Sequence, residues 1–127
     1  MRVLVVDNEP DAADTVAMLV RVAGMDAFVA YDGREAVEEA RRLVPHVMLV
    51  DVGMPVFTGL DVAKAIRQCR ELDGTFLCAM TGYSDQENRA MGLEAGFDEY
   101  LVKPIPHDRL VAFLTKIRGN PRPLEAA

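Results

Sequence analysis

The chain has 127 residues, half of them hydrophobic and 27% charged, which indicates one folded domain and excludes a disordered composition. Its formal net charge of -6 argues against direct binding to nucleic acid, which requires a basic surface. Cys69 and Cys78 are the only cysteines, no apolar run is long enough to span a membrane, and no signal peptide follows Met1. We therefore expect a cytoplasmic protein that binds neither nucleic acid nor a membrane.

Five short apolar segments alternate with longer segments of helical periodicity. The predicted strands are Val3–Val6, Ala27–Tyr31, Val47–Val50, Phe76–Met80 and Tyr100–Val102. The first, third and fourth are continuously apolar, which is typical of strands covered on both faces in a parallel sheet. We expect these three strands in the centre of the sheet.

The segments between the strands place apolar residues three and four positions apart, as amphipathic helices do. A first helix is predicted to begin near Pro10, and a fourth begins with the Ser84-x-x-Glu87 spacing of a capping box and ends at Gly96. The predicted buried stripes of the first, second, third and fifth helices are Val16, Leu19, Val20 and Ala23; Ala36, Val37, Ala40, Leu43 and Val44; Leu60, Ala63 and Ile66; and Leu110, Phe113 or Leu114, and Ile117. Strict alternation of strands and helices predicts a doubly wound α/β domain with helices on both faces of the sheet.

Polar side chains mark the carboxyl ends of the predicted strands. Asp7, Asn8 and Glu9 follow the first strand, and Asp51, Thr81 and Lys103 follow the third, fourth and fifth. The carboxyl ends of parallel strands open onto one edge of the sheet, where ligands bind. We therefore expect these four segments to converge on one site.

The residue types at this edge point to phosphoryl chemistry. Asp7, Glu9 and Asp51 would repel one another at close range, and Mg²⁺, which prefers oxygen ligands and retains water, relieves that repulsion. Lys103 supplies a positive charge and Thr81 a hydroxyl donor, two groups that hold phosphoryl oxygens. Asp51, at the end of an apolar strand, is then the candidate nucleophile that forms an aspartyl phosphate. Each residue alone has an ordinary alternative as a turn, a helix cap or a solvated lysine, and their joint placement favours a site.

These residues lie in motifs that resemble the receiver domain of two-component response regulators. The motifs are Val6-Asp7-Asn8-Glu9, Leu49-Val50-Asp51-Val52-Gly53-Met54-Pro55, Thr58-Gly59, Met80-Thr81-Gly82, Glu94-Ala95-Gly96-Phe97-Asp98 and Tyr100-Leu101-Val102-Lys103-Pro104. The resemblance runs from about Val3 to Ile117, and its local wording is similar to receivers attached to hybrid histidine kinases. It implies a flavodoxin-like sheet of five parallel strands in the order 2-1-3-4-5.

The resemblance also implies a signalling switch. Asp51 would accept a phosphoryl group from the phosphohistidine of a sensor histidine kinase or a phosphotransfer protein, with Mg²⁺ required. The protein would assist this transfer and its own dephosphorylation, and it would not otherwise be an enzyme. Asp7 would lie in the acid pocket and Gly53 would offer its backbone carbonyl to the metal. Thr81 and Lys103 would hold phosphoryl oxygens.

Two further features follow from the same resemblance. Tyr100 matches the switch aromatic of the family, whose rotamer couples to Thr81. The peptide bond between Lys103 and Pro104 would be cis, a state accessible mainly before proline.

One residue departs from the family pattern. The second acidic position, usually a carboxylate ligand of the metal, is Asn8, whose amide oxygen can bind Mg²⁺ but carries no charge. Glu9 is a further possible ligand. The departure leaves a pseudo-receiver, which keeps the fold without phosphorylation, as the alternative function. A small phosphatase or flavin protein is disfavoured because no glycine-rich loop follows the first strand and Gly53 stands where a second catalytic aspartate would be needed.

Signal output is expected to use the face made by the fourth helix, the fifth strand and the fifth helix, because Thr81 and Lys103 end the strands that border it. The same face is a possible homodimer interface. The domain is expected to span residues 1–118, and residues 119–127, with two prolines, to form a flexible tail or a linker stub. No DNA-binding segment follows Ile117, so we expect output through a downstream protein or a fused domain.

Overall fold

A computed structural model describes residues 1–82 and 94–119. The strands are β1 (Arg2–Val6), β2 (Asp26–Ala30), β3 (Val47–Asp51), β4 (Phe76–Thr81) and β5 (Glu99–Val102). They pair in parallel in the order β2-β1-β3-β4-β5, so the predicted topology is confirmed. The three continuously apolar strands occupy the centre, where both faces are covered.

Helices lie on both faces of this sheet. They are α1 (Pro10–Val22), α2 (Gly33–Leu43), α3 (Gly59–Arg67) and a C-terminal helix (His107–Gly119), with a 3-10 turn at Arg70–Leu72. The predicted fourth helix, with its Ser84-x-x-Glu87 spacing, lies mostly outside the described residues. Its predicted C-terminal end is described, and there Glu94 and Ala95 are helical. The C-terminal helix includes Gly119, one residue beyond the predicted domain boundary, and the rest of the predicted tail lies outside the described residues.

The core consists of two apolar clusters, one on each side of the sheet. On one side Leu4, Met48 and Val50 pack with α2 and α3. On the other side Val5 and Leu49 pack with α1 and the C-terminal helix. Because the central strands contribute to both clusters, the polar groups that end these strands are held on a rigid platform.

The innermost face of α1 differs from the prediction. Ala13 and Ala17 are fully buried together with Val20, whereas Val16 and Leu19 are only partly buried. Alanine has no bulky side chain, so it lets the helix backbone approach the sheet closely, and the larger residues pack along the sides. The helical period was therefore predicted correctly, and Val20 is buried as predicted, but the innermost line of the face runs through Ala13 and Ala17.

Smaller corrections concern the ends of elements. Asp51 and Thr81 are the last residues within β3 and β4, rather than the first residues after them. Val44 lies beyond α2, in the left-handed conformation with φ of 45° and an exposed side chain, instead of in the buried stripe. On α3, Val62 is fully buried and Leu60 is only partly buried.

Candidate functional site

A lysine and two aspartates at the ends of three different strands meet at the carboxyl edge of the sheet. The Nζ of Lys103 donates a hydrogen bond to Asp7 Oδ2 at 2.8 Å and lies 3.6 Å from Asp51 Oδ1. Asp7 is 1% exposed, and the side chains of Asp51 and Lys103 are 14% and 32% exposed. The structure thus brings together three of the residues that the sequence predicted to converge.

Backbone amides orient the two carboxylates. The Glu9 N–H donates to Asp7 Oδ1 at 3.0 Å, and the Gly53 N–H donates to Asp51 Oδ1 at 3.0 Å. Both bonds reach back two residues from the loop that follows the strand, as a short aspartate side chain at a strand end allows. Each carboxylate is therefore oriented before any ligand arrives.

The electrostatics of the site reflect its partial burial. Burial raises the pKa of Asp51, the charge of Asp7 raises it further, and the Gly53 amide and Lys103 oppose the shift. Burial lowers the pKa of Lys103, but the hydrogen bond to Asp7 and the attraction of both carboxylates outweigh it, so this pKa is raised. Lys103 is accordingly a cation at neutral pH, and it stands opposite two acids.

Thr81 and Tyr100 lie on the two strands next to this group. Thr81, 5% exposed, pairs with Val102, and its carbonyl accepts the Lys103 N–H at 2.7 Å. Tyr100, one residue inside β5, is half-buried against the cluster that contains α2 and α3, and its hydroxyl oxygen is inaccessible to solvent. The peptide bond between Lys103 and Pro104 is cis, as the resemblance implied.

The remaining predicted ligands lie at the rim. Asn8, Glu9 and Gly53 are exposed. Asn8 lines a cavity of about 360 Å³ whose wall includes Phe57. Glu9 begins α1 through its backbone, and its side chain makes no capping hydrogen bond. A ligand role for these three residues therefore stays a prediction.

The donors available here fit a hydrated magnesium ion. Within residues 1–82 and 94–119, no three acidic, histidine or cysteine side chains are grouped to hold a metal. Two converging carboxylates, an amide and a backbone carbonyl offer oxygen only and leave positions for water. Mg²⁺ prefers oxygen ligands and usually retains several waters, so this donor set suits it better than it suits zinc.

The loop after Asp51 is held by a close contact at the start of α3. A Cβ atom at Gly59 would lie 2.6 Å from the Asp51 carbonyl oxygen, so this position requires glycine. Thr58 and Asp61 form a capping box, with the Asp61 N–H donating to Thr58 Oγ1 at 3.2 Å. The Thr58-x-x-Asp61 spacing is visible in the sequence and would have predicted the start of α3.

Comparison with known proteins places the chain in a family. The sequence model of the response regulator receiver domain matches residues 3–115. The chain belongs to this family, and the two-component resemblance seen in the motifs is confirmed. Receiver domains of response regulators are signalling switches of two-component systems.

Individual relatives show the same relationship. The chain is 38% identical over 112 residues to the transcriptional regulatory protein PrrA of Mycobacterium leprae, covering 87% of this chain and 47% of PrrA. It is 34% identical over 120 residues to the DNA-binding response regulator MtrA of Mycolicibacterium smegmatis, covering 94% of this chain and 51% of MtrA. The chain thus spans about half the length of these curated relatives.

A solved structure adds the metal context of the family. The receiver domain of the sensor histidine kinase PA1611 of Pseudomonas aeruginosa superposes with a TM-score of 0.85 at 27% identity, covering 94% of this chain and 98% of that one. That structure is described with a magnesium ion in its active-site cleft.

No helix in the described part of this chain has the length and apolar character needed to cross a bilayer.

Proposed function

We propose that the protein is a phosphorylation-controlled switch in which Asp51 accepts a phosphoryl group from a phosphohistidine. The donor would be a sensor histidine kinase or a phosphotransfer protein, in the cytoplasm. One observation carries the proposal: Lys103 Nζ, held by buried Asp7, lies 3.6 Å from Asp51 Oδ1. A cation in this place can neutralise the oxygens of a phosphoryl group bound to Asp51.

The transfer uses the groups already oriented at the edge of the sheet. An Asp51 carboxylate oxygen forms a bond to phosphorus, the bond from phosphorus to the imidazole nitrogen breaks, and its electron pair returns to the ring. Lys103 would pair with one phosphoryl oxygen and the Thr81 hydroxyl would donate to another. The same residues would assist later attack by water on phosphorus, which breaks its bond to the Asp51 oxygen, releases inorganic phosphate and restores the Asp51 carboxylate.

A magnesium ion belongs to this proposal. Asp7, Asn8, Asp51 and the Gly53 carbonyl would hold it, with Glu9 as a further possible ligand. When bound, the ion neutralises negative charge on the phosphoryl oxygens. The buried Asp7 and the half-buried Asp51 stand opposite only one ammonium group in this contact, so the site is left with an excess of negative charge that a cation can balance.

The phosphoryl group would act on the rest of the domain through β4 and β5. Contacts to Thr81 and Lys103 would favour one of two existing arrangements, and coupling of this kind is typically about 1 to 3 kcal/mol. We propose that Tyr100 changes rotamer with this shift and that the face of the predicted fourth helix, β5 and the C-terminal helix reads it. A downstream protein, a fused domain or a second copy of the chain would bind that face.

The experiment that tests the proposal is a phosphorylation assay with acetyl phosphate and Mg²⁺, read by intact mass. The parent protein should gain one phosphoryl group, and Asp51→Asn should gain none. Asp26→Asn, an exposed aspartate at the opposite edge of the sheet, is the matched control and should be labelled like the parent. A parent that takes no label with any small donor would favour the pseudo-receiver, to which Asn8 points.

A further inference from the structure

The guanidinium group of Arg67, at the end of α3, bonds to three acceptors in two other segments of the chain. Its Nε donates to the Gly96 carbonyl at 3.0 Å, its Nη1 to the Thr75 carbonyl at 2.9 Å and its Nη2 to Asp98 Oδ2 at 2.8 Å. The side chains of Arg67 and Asp98 are only 17% and 21% exposed. A partly buried, charge-assisted pair of this kind holds its partners more firmly than a surface pair does.

Asp98 links Arg67 to the start of β5. The Asp98 N–H donates to the Leu77 carbonyl at 2.7 Å, and the Leu77 N–H donates to Asp98 Oδ2 at 2.8 Å. The residue is thus bonded to β4 through both its backbone and its side chain. The point at which β5 joins β4 is therefore set by Asp98, and Arg67 holds the carboxylate that sets it.

β5 depends on such an anchor because it is short and lies at the edge of the sheet. It has four residues and pairs only with β4, from Cys78 opposite Glu99 to Thr81 opposite Val102. The next residue is Lys103. A slip of one residue in register would turn every side chain of the strand to the other face.

We propose that Arg67 is a positioning residue for Lys103: by holding Asp98, it sets the register of β5 and so places the Lys103 ammonium between Asp7 and Asp51. The inference rests on the proposed function for the role of Lys103 in phosphoryl transfer. Arg67 lies at the opposite edge of the sheet, where it bonds to Thr75 and Asp98. Its effect on the chemistry would run entirely through the strand.

Gly96, whose carbonyl accepts from Arg67, also leaves room for the Arg67 side chain. Gly96 has φ of +118°, and a Cβ atom there would lie 2.5 Å from Arg67 Cγ. The turn before β5 therefore leaves room for the aliphatic part of the arginine. A lysine at position 67 would supply the charge but not the planar fork that reaches three acceptors.

The test compares Arg67→Met with Arg41→Met in the full chain. Arg41 is a matched control, because it too pairs with an acidic side chain. Its partner is Glu71 at 3.8 Å, and both side chains are more than half exposed, so the pair is a surface pair. Two quantities are measured under conditions where unfolding curves show each variant to be folded. One is the side-chain NMR resonance of Lys103 in the unphosphorylated protein, and the other is the rate of labelling by acetyl phosphate with Mg²⁺.

We expect Arg67→Met to shift the Lys103 resonance and to slow labelling about tenfold, because small displacements of a positioned group are costly in catalysis. Arg67→Lys should behave like Arg67→Met, and Arg41→Met like the parent. In a Lys103→Ala background, Arg67→Met should slow labelling no further, since its effect runs through Lys103. If Arg67→Met does not fold, Asp98→Asn, which keeps an oxygen for the Leu77 N–H, should produce the same changes in weaker form.

An unchanged Lys103 resonance and rate in folded Arg67→Met would overturn the inference. So would an equal slowing by Arg67→Met with and without Lys103, which is the result of a merely structural role. Failure of the proposed function looks different. In that case Lys103→Ala would be labelled like the parent, while the Lys103 resonance of the unphosphorylated protein would still report whether Arg67 positions it.

Discussion

The two edges of the sheet use polar side chains in opposite ways. Apart from the Arg67–Asp98 pair, the polar side chains of the amino edge bond to the backbone. Arg2 donates to the Leu43 and Val44 carbonyls at 3.0 and 2.8 Å, and Thr75 Oγ1 donates to the Pro45 carbonyl at 2.8 Å. At the carboxyl edge side chains pair with side chains, and Lys103 stands between two acids. The first arrangement satisfies the ends of elements, and the second leaves an excess of negative charge.

This difference between the two edges indicates which polar side chains stabilise the fold and which are available to bind a ligand. A buried carbonyl without a donor is costly, so a side chain that satisfies it is fully used by the fold. A cluster of two carboxylates and one ammonium is not neutral, and its members can still bind a cation or an anion. Changes at the amino edge outside the Arg67–Asp98 pair should therefore affect unfolding and leave labelling intact, whereas changes at the carboxyl edge should affect ligand binding.

Outside the Arg67–Asp98 pair, the largest effect on stability is expected from Arg2→Met. The change removes both donors that satisfy the carbonyls at the end of α2, where Val44 adopts a left-handed conformation. We expect the free energy of unfolding to fall by about 2 kcal/mol, measured by urea denaturation. The labelling rate of the folded variant should equal that of the parent, and a slowed rate would break the division between the two edges. Arg118→Met, exposed near the end of the C-terminal helix, serves as the control.

A smaller effect, on metal affinity, is expected from Asn8→Asp. The added carboxylate supplies a charge for Mg²⁺ that the amide lacks, so affinity should rise about tenfold. A Mg²⁺ titration of the parent, Asn8→Asp and Glu9→Gln measures it. If Glu9 already supplies the missing charge, Asn8→Asp will change little and Glu9→Gln will weaken binding. Tighter binding by the parent than by Asn8→Asp would contradict our description of the pocket.

The smallest effect is a gain of stability in Asp51→Asn without metal. Because burial raises the pKa of Asp51, the folded parent binds a proton more tightly than the unfolded chain and loses stability as pH rises through this range. An amide does not ionise, so the variant should be more stable than the parent at neutral pH. Below the ordinary pKa of 3.8 both forms of the parent are protonated, and the gain should vanish. If Asp51→Asn remains more stable than the parent in acid, the gain comes from packing and not from ionisation of Asp51.

Much of this architecture could be predicted because its signals are local. The continuous apolar runs indicated the central strands, and a charged residue at the end of such a run indicated the edge at which Asp51 and Lys103 lie. These signals need only a few adjacent residues. The order of the strands came from the family resemblance, since alternation alone does not determine it.

The features that were missed depend on tertiary contacts. Arg67 and Asp98 are separated by 31 residues, and nothing in the local sequence pairs them. The buried face of α1 was misjudged because the distance between helix and sheet decides whether alanine or valine lies innermost. Pro45 disfavours helical backbone at Val44, so the stop at Leu43 was predictable from the sequence. The left-handed conformation of Val44 was not, because valine rarely adopts it.

The central claim is that chemistry at Asp51 is read out along β5, and hydrogen exchange with and without phosphorylation tests it most directly. On labelling with acetyl phosphate and Mg²⁺, exchange should change in β5 (Glu99–Val102) and stay nearly constant in α1 (Pro10–Val22). In Lys103→Ala, which should keep the fold and some labelling, the change in β5, including Tyr100, should disappear. A response confined to the loop after Asp51, or one in β5 that persists without Lys103, would contradict the account.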